Sequence, residues 1–376
     1  MTNRALDVNA PLSWRNWDTP REVSVGRFVE IAMYTDAHPT GENVEAGPYS
    51  ALITFSNFFG HAPQLGIVLR MAYGVALDDP HGLNADDLGS KTRDKAYHGG
   101  DIYDELAALL SLALGIRCQS GGEIRRWDIA SDPLGRHFEW HHAKPYLPPP
   151  SMQGSVLPHA AGDVNLAEAQ PYLAAYRALT ARKATAVVRA ARLYQQALWI
   201  SDSDPSMAWI LLVSAIEVAA ENRSNIPALN IERLRLSWPE MGAVLESVDP
   251  KQRDAIADLL GPTVKVGAKF LQFLAEFMPG PPEIRPSEYG KVDWVRMHDH
   301  LVLVYRYRSL ALHAGKPFPY PMCQPPHVLE EGVPLEVPLG LSSQIGGSAW
   351  LARDTPMLLH VFEYLTRVAL QKWWLA

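Results

Sequence analysis

The sequence predicts a mainly α protein in which a C-terminal helical bundle follows an N-terminal α+β domain. Three observations lead there. Candidate strands with β-branched and aromatic residues lie before residue 150, and long stretches with helical apolar spacing follow residue 165. Between them the prolines Pro145, Pro148, Pro149 and Pro150 open a Pro/Gly-containing linker over 151–164. The division is therefore 1–150 for the α+β domain, whose role the sequence does not state, and 165–376 for the bundle. At 376 residues and 47% hydrophobic content, the chain can fill two packed cores.

Residues 22–34 mix β-branched and aromatic side chains in partial alternation and predict a strand; 51–55 predict a shorter one. The Gly-, Pro- and Asn-containing stretch between them reads as loop. From Asp101 to Leu114, the residues Ile102, Leu106, Leu109, Leu110 and Leu114 recur at helical spacing. Asp101, Asp104 and Glu105 suit the electropositive first turn, and Gly115 closes the helix. Residues 124–128 predict a strand after a turn at Gly121-Gly122. Beyond the linker, helices are predicted at 166–179, 182–200, 205–221, 251–260, 264–277, 293–314 and 355–374. Asp204 supplies an N-cap and Pro205 the first helical position, an arrangement repeated by Asp354-Thr355-Pro356. A proline-rich segment at 316–353 reads as a long loop, either functional or strapped over the bundle.

Charge and composition narrow the function classes. A net charge of −7 argues against coating duplex nucleic acid through a broad basic surface, though a local basic cleft is compatible with it. Two cysteines, Cys118 and Cys323, cannot build a disulfide scaffold or a cysteine-based zinc site. The first residues lack the apolar core of a signal peptide, and no run approaches the ~20 apolar residues of a spanning helix. A cytoplasmic protein without membrane association is expected. The phosphate-loop, dinucleotide and nucleophile-elbow patterns are absent. His298 and His300, two apart on a helix, point about 160° away from each other, and neither they nor His141-His142 make a metal site. No metal or cofactor is expected.

The densest chemistry ends the 293–314 helix. Arg306, Arg308, Ser309 and His313 precede Gly315, which suits the left-handed position after a helix, and Pro317 blocks continuation. Ser309 and His313 stand one i,i+4 step apart, Arg306 lies on that side one turn earlier, and Arg308 flanks it. An imidazolium at the electronegative helix end is favoured by roughly 0.3–1 kcal/mol, which suits proton transfer near neutral pH. Glu217 lies inside the apolar run 211–218, so it reaches solvent or pairs with Arg306 or Arg308 in a cleft.

Arg308-x4-His313, with Ser309 directly after the arginine, resembles the R-x4-6-H motif of HEPN domains, and most closely that of the Apea-like subgroup. Arg306 also satisfies the looser spacing; Arg308 is preferred because a small polar residue follows it. Support comes from 196–201 leading to 209–217, similar to the helix pair before the motif helix in that subgroup. The resemblance covers about Thr180 onward, and 105–135 is similar to the leader found before such domains. It implies a HEPN-type bundle and a metal-independent endoribonuclease of stress or phage defence. Catalytic roles then fall to Arg308, Ser309 and His313, substrate contacts to Arg306 and Glu217, RNA is the substrate, and a two-fold homodimer pairs two motifs. Other members of the family have no shown nuclease activity, so a non-catalytic RNA-, nucleotide- or protein-binding module is the alternative.

Overall fold

The computed structural model describes residues 7, 9–17, 27–54, 62–73, 94–128, 136–137, 144–223, 230–287, 289–329 and 332–376. The chain divides into two compact units. The first comprises residues 1–149, 158–199 and 374–376, and the second comprises 150–157 and 200–373.

The first unit is α+β. Its strands are β1 (Arg27–Thr35), β2 (His38–Thr40), β3 (Val44–Ala46), β4 (Tyr49–Ile53), β5 (Gln64–Tyr73), β6 (Gln119–Asp128), β7 (Arg136–His137) and β8 (Asp163–Asn165). Among the described residues, six of these form an antiparallel sheet in the order β3-β4-β5-β1-β6-β7, and β2 pairs in parallel with β8. The central strand β1 buries Val29, Ile31 and Met33 beside Leu69 and Met71 of β5, and Glu30 and Ala32 on its other face are buried as well, so both faces of this strand are covered. The expected strand at 22–34 is described from Arg27 onward, with 22–26 outside the described residues; Phe55 of the second strand also lies outside them.

Gly121-Gly122 is not a turn but lies inside β6. Ala32 pairs with Gly122 and Met33 with Ser120, so one extra residue bulges there, and Gly122 adopts a φ of 87°. Glycine reaches this left-handed region without the Cβ clash other residues meet there.

Among the described residues, the helices α1 (Leu12–Arg15), α2 (Ile102–Leu114), α3 (Gln170–Tyr176) and α4 (Ala181–Ile200), the last up to Trp199, complete this unit. In α2 the Asp101 side chain accepts from the backbone of Tyr103 and Asp104, Asp104 answers the Asp101 N–H, and Gly115 ends the helix in left-handed geometry. The expected helix at 166–179 is a 3-10 turn (Leu166–Ala169) followed by α3. Asn165 caps that turn by accepting from Ala167 N–H. Helices α3 and α4, expected with the C-terminal bundle, belong to the same compact unit as the sheet. Arg117 ties this unit internally, donating to Asp36 at 2.8 Å and to the Leu198 carbonyl at 2.9 Å.

Glu105 of α2 is 1% exposed. Its carboxylate accepts from the backbone of Ser13 at 2.7 Å and Leu12 at 3.3 Å, holding α1 in place. Burial pushes its pKa up to about 7 against the lowering effect of those N–H groups.

The second unit is helical. It holds α5 (Pro205–Glu221), α6 (Asn230–Ser237), α7 (Pro239–Glu246), α8 (Pro250–Phe277), α9 (Met297–Ala314) and α10 (Leu359–Leu375), the last up to Trp373. Asp204 caps α5 by accepting from Met207 N–H, with Pro205 at the first position, as expected. The two helices expected at 251–260 and 264–277 are one, continuous through Gly261-Pro262. Proline removes a single hydrogen bond and kinks more readily than it terminates when both flanks are packed. Here Ala257 joins a core with Ile231, Leu234 and Leu245 of α6 and α7, while Phe270, Phe273 and Leu274 are buried beyond it.

The last helix begins at Leu359 rather than at Thr355. Thr355 precedes proline and is pushed out of the helical region, with φ −130° and ψ 67°, and the Leu358 N–H donates to the Glu336 backbone carbonyl at 2.8 Å. The 316–353 segment is not structureless: it contains a 3-10 turn (Tyr320–Cys323) and a hairpin of β9 (Ser342–Ile345) and β10 (Ser348–Leu351). It is also strapped down. Glu336, nearly fully buried, receives Arg285 Nε at 2.9 Å and the Val292 N–H at 2.7 Å.

Candidate functional site

Helix α9 packs through Met297, Leu301, Val304 and Tyr307, spaced by three or four residues, and none of its residues beyond Tyr307 is buried. Leu310 is half-buried and Leu312 exposed, so the terminal turn stands out from the core that the first three turns share. Gly315 closes the helix at φ 62°, and the Lys316 N–H donates to the Leu310 carbonyl at 3.2 Å. His313 occupies this turn, exposed to solvent, and Ser309 is half-buried one turn before it.

The two arginines go different ways. Arg306 is exposed, its guanidinium 5.8 Å from the centroid of the Tyr307 ring. Tyr307 is itself anchored, donating to the Asp354 carbonyl at 2.6 Å. Seven residues separate Arg306 from His313, which leaves them within about 20° of each other around the axis. Arg308 and His313 differ by about 140°, and Arg308 is turned toward α5. There its Nη2 donates to Glu217 Oε2, while the other carboxylate oxygen accepts from Tyr305 Oη at 3.0 Å. The Arg308 side chain is 17% exposed and that of Glu217 13%, so both ions are largely withdrawn from water. Of the two options left open for Glu217, the geometry is the ion pair, and its partner is Arg308.

Two details define the electrostatics of this cluster. Burial, reinforced by the Glu217 charge, pushes the Tyr305 hydroxyl well above its ordinary pKa, so it is a donor throughout the physiological range. Arg308 Nε is buried and has no hydrogen-bond partner.

The sequence therefore named four residues of the last two turns of α9 and the carboxylate that meets one of them, Arg308, and missed Tyr305, which stands about 60° from Arg308 on the same helix. The signal was present: Tyr305 and Arg308 are an i,i+3 pair facing a helix with a carboxylate embedded among apolar residues.

Elsewhere in this unit a cavity of about 370 Å³ opens between Met152, Asp202, Pro205, Tyr320, Cys323 and their neighbours; no motif residue lines it. Asp202 is engaged there by Ser155 Oγ at 2.9 Å and by the Val156 N–H at 2.8 Å. Burial pushes the Cys323 thiol up to about 12, and that of Cys118 likewise, so neither is primed as a nucleophile. His298 is exposed, and burial lowers the pKa of His300; His141 and His142 lie outside the described residues. Among the described residues no three metal-ligating side chains converge, and no helix is long and apolar enough to cross a membrane.

Compared with protein-family models, with curated proteins and with solved structures, the chain matches none of them.

Proposed function

We propose that the protein is a metal-independent endoribonuclease of the HEPN type that acts through the end of α9, working in the cytoplasm in stress or phage defence. The observation that carries this is the asymmetry of the terminal turn: His313 is free in solvent while Arg308 is held by a carboxylate. In an RNA phosphodiester, a base takes the proton of the ribose 2′-OH, the oxygen attacks the adjacent phosphorus, and an acid protonates the departing 5′-oxygen. His313 serves in those proton transfers. Arg308 stabilises charge gathering on the nonbridging oxygens, Ser309 orients phosphate or imidazole, and exposed Arg306 draws in the RNA backbone.

Arg308 is preferred over Arg306 because a donor fixed before the reaction costs no reorganisation in the transition state, whereas a mobile surface arginine must be ordered first. About 7.5 Å of helix rise separates Arg308 from His313, which a phosphodiester and a long side chain span together. Each chain carries one such turn, so a two-fold homodimer that pairs two turns in one groove completes the site.

The second reading, a non-catalytic module that binds RNA, nucleotide or protein, is favoured by one observation: Glu217 already compensates the Arg308 charge. Incubation of RNA with the protein in chelator-containing buffer separates the two. Cleavage to cyclic-phosphate ends, lost in Arg308→Ala and His313→Ala, supports the nuclease. Binding without cleavage under all conditions supports the module.

A further inference from the structure

The cluster around Arg308 extends to a third helix. The Tyr305 ring is tilted against Phe270 of α8, with centroids 5.1 Å apart. Gly267, one turn earlier on α8, lies directly beneath the same ring: a Cβ there would stand 2.9 Å from Tyr305 Cε1 and 3.3 Å from Cδ1. A Cβ at 267 would force the ring to shift, so the Tyr305 ring is confined from α8 while its hydroxyl is confined by Glu217. Glu217 in turn has both oxygens committed, one to Tyr305 and one to Arg308. The Arg308 guanidinium also lies 5.7 Å from the Tyr305 centroid, so tyrosine contacts the arginine directly as well as through the carboxylate.

We infer that Tyr305 and Glu217 are positioning residues that hold Arg308 for a phosphate oxygen, and that Gly267 sets them by admitting α8 against the Tyr305 ring. The inference rests on the nuclease reading and assigns Glu217 a role different from contact with substrate. A carboxylate facing RNA would repel it. One turned into the bundle and fixed by a tyrosine hydroxyl holds a guanidinium by one nitrogen while leaving other N–H groups of the fork for an anion. A displaced guanidinium weakens binding of the transition state more than that of the ground state, because charge on the nonbridging oxygens is largest there.

The test uses the full chain and two substrates of one sequence: an RNA oligonucleotide, and its 2′-deoxy counterpart, which lacks the attacking hydroxyl. Tyr305→Phe and Glu217→Gln are each expected to lower kcat about tenfold with KM within about twofold. Affinity for the deoxy oligonucleotide should also stay within about twofold. Gly267→Ala, which drives a methyl into the ring, should resemble Tyr305→Phe and add little to it in the double variant, since both act through one contact. Arg308-dependent cleavage that is untouched by Tyr305→Phe and Glu217→Gln overturns the positioning role and leaves the nuclease standing. Faster cleavage by Glu217→Gln overturns it too, by making the carboxylate a competitor of phosphate. A loss confined to KM and deoxy-oligonucleotide affinity shows direct substrate contact instead. Absence of any Arg308-dependent cleavage in the parent protein removes the nuclease reading itself.

Discussion

Helices α2 and α9 end in the same way and serve different ends. Each closes on a left-handed glycine, Gly115 at φ 72° and Gly315 at φ 62°. Yet every residue of α2 from Glu105 to Leu114 is buried, and nothing in α9 past Tyr307 is. Each is associated with a withdrawn carboxylate. Glu105 is held by two backbone N–H groups and is pushed toward its neutral form, whereas Glu217 keeps company with an arginine. The comparison teaches that a helix terminator is silent on function. What separates a structural end from a chemical one is whether the last turn is packed, and whether a buried carboxylate stabilises the backbone or orients a cation.

The largest expected effect is at the exposed end. His313→Ala and Arg308→Ala should each lower RNA cleavage by about 10²–10⁴-fold, the range for a lost proton-transfer group or charge stabiliser. The double variant should be little worse, because residues that act as a unit are strongly non-additive. His313→Ala should melt within about 0.5 kcal/mol of the parent protein, as an exposed substitution does. A large loss of stability in His313→Ala would put α9 in the same class as α2.

The next effect is at the packed end and appears in pH rather than in rate. The folded-state pKa of Glu105, about 7, is raised from 4.5, so the folded protein holds this proton more tightly than the unfolded chain. The stabilisation is complete below pH 4.5 and is lost as the pH rises through about 7. It amounts to about 3 kcal/mol, the free-energy equivalent of a shift between 4.5 and 7. Thermal melts from pH 5 to pH 8 should show declining stability, and Glu105→Gln, which stays neutral, should flatten that decline. An unchanged slope in the glutamine variant would remove Glu105 as its source.

Smaller changes sharpen the contrast between the two arginines. Arg306→Ala should reduce cleavage only a few-fold, with the deficit shrinking at high salt, since an exposed cation acts through a screened field. A deficit as deep as that of Arg308→Ala would shift the phosphate contact to Arg306. Smallest of all, Cys118 and Cys323 should resist alkylation at pH 8 in the folded protein and react after denaturation, because burial raises both thiols to about 12. Rapid native-state labelling of either would show that its enclosure opens readily.

Elements governed by local chemistry were legible in the sequence. The ends of α2 follow from Asp101, Asp104 and Gly115, and the start of α5 from Asp204-Pro205. Elements decided by distant packing were not. Nothing local says that α8 survives Gly261-Pro262, or that 230–246 makes two short helices whose few apolar residues become a core only against α8. Residues 64–73 are a strand beside β1 that went unpredicted, although Leu65, Ile67, Leu69, Met71 and Tyr73 alternate along it. The same division runs through the candidate site. Spacing brought Arg308, Ser309 and His313 onto one helix end, but the rotation of Arg308 toward Glu217 depends on where α5 lies, and the confinement of Tyr305 depends on α8.

The membership of the sheet unit has a consequence for how the chain acquires its structure. Trp374 is fully buried there, its ring 5.6 Å from that of Tyr172 and 6.1 Å from that of Tyr176, although 174 residues of the helical unit intervene between Trp199 and Trp374. During vectorial synthesis residues 1–199 emerge before Trp374, so the ring that packs against Tyr172 and Tyr176 is supplied only after the entire helical stretch. The helical unit behaves topologically as an insertion, so removing residues 374–376 would damage the region farthest from them in sequence and leave the α9 turn covalently untouched.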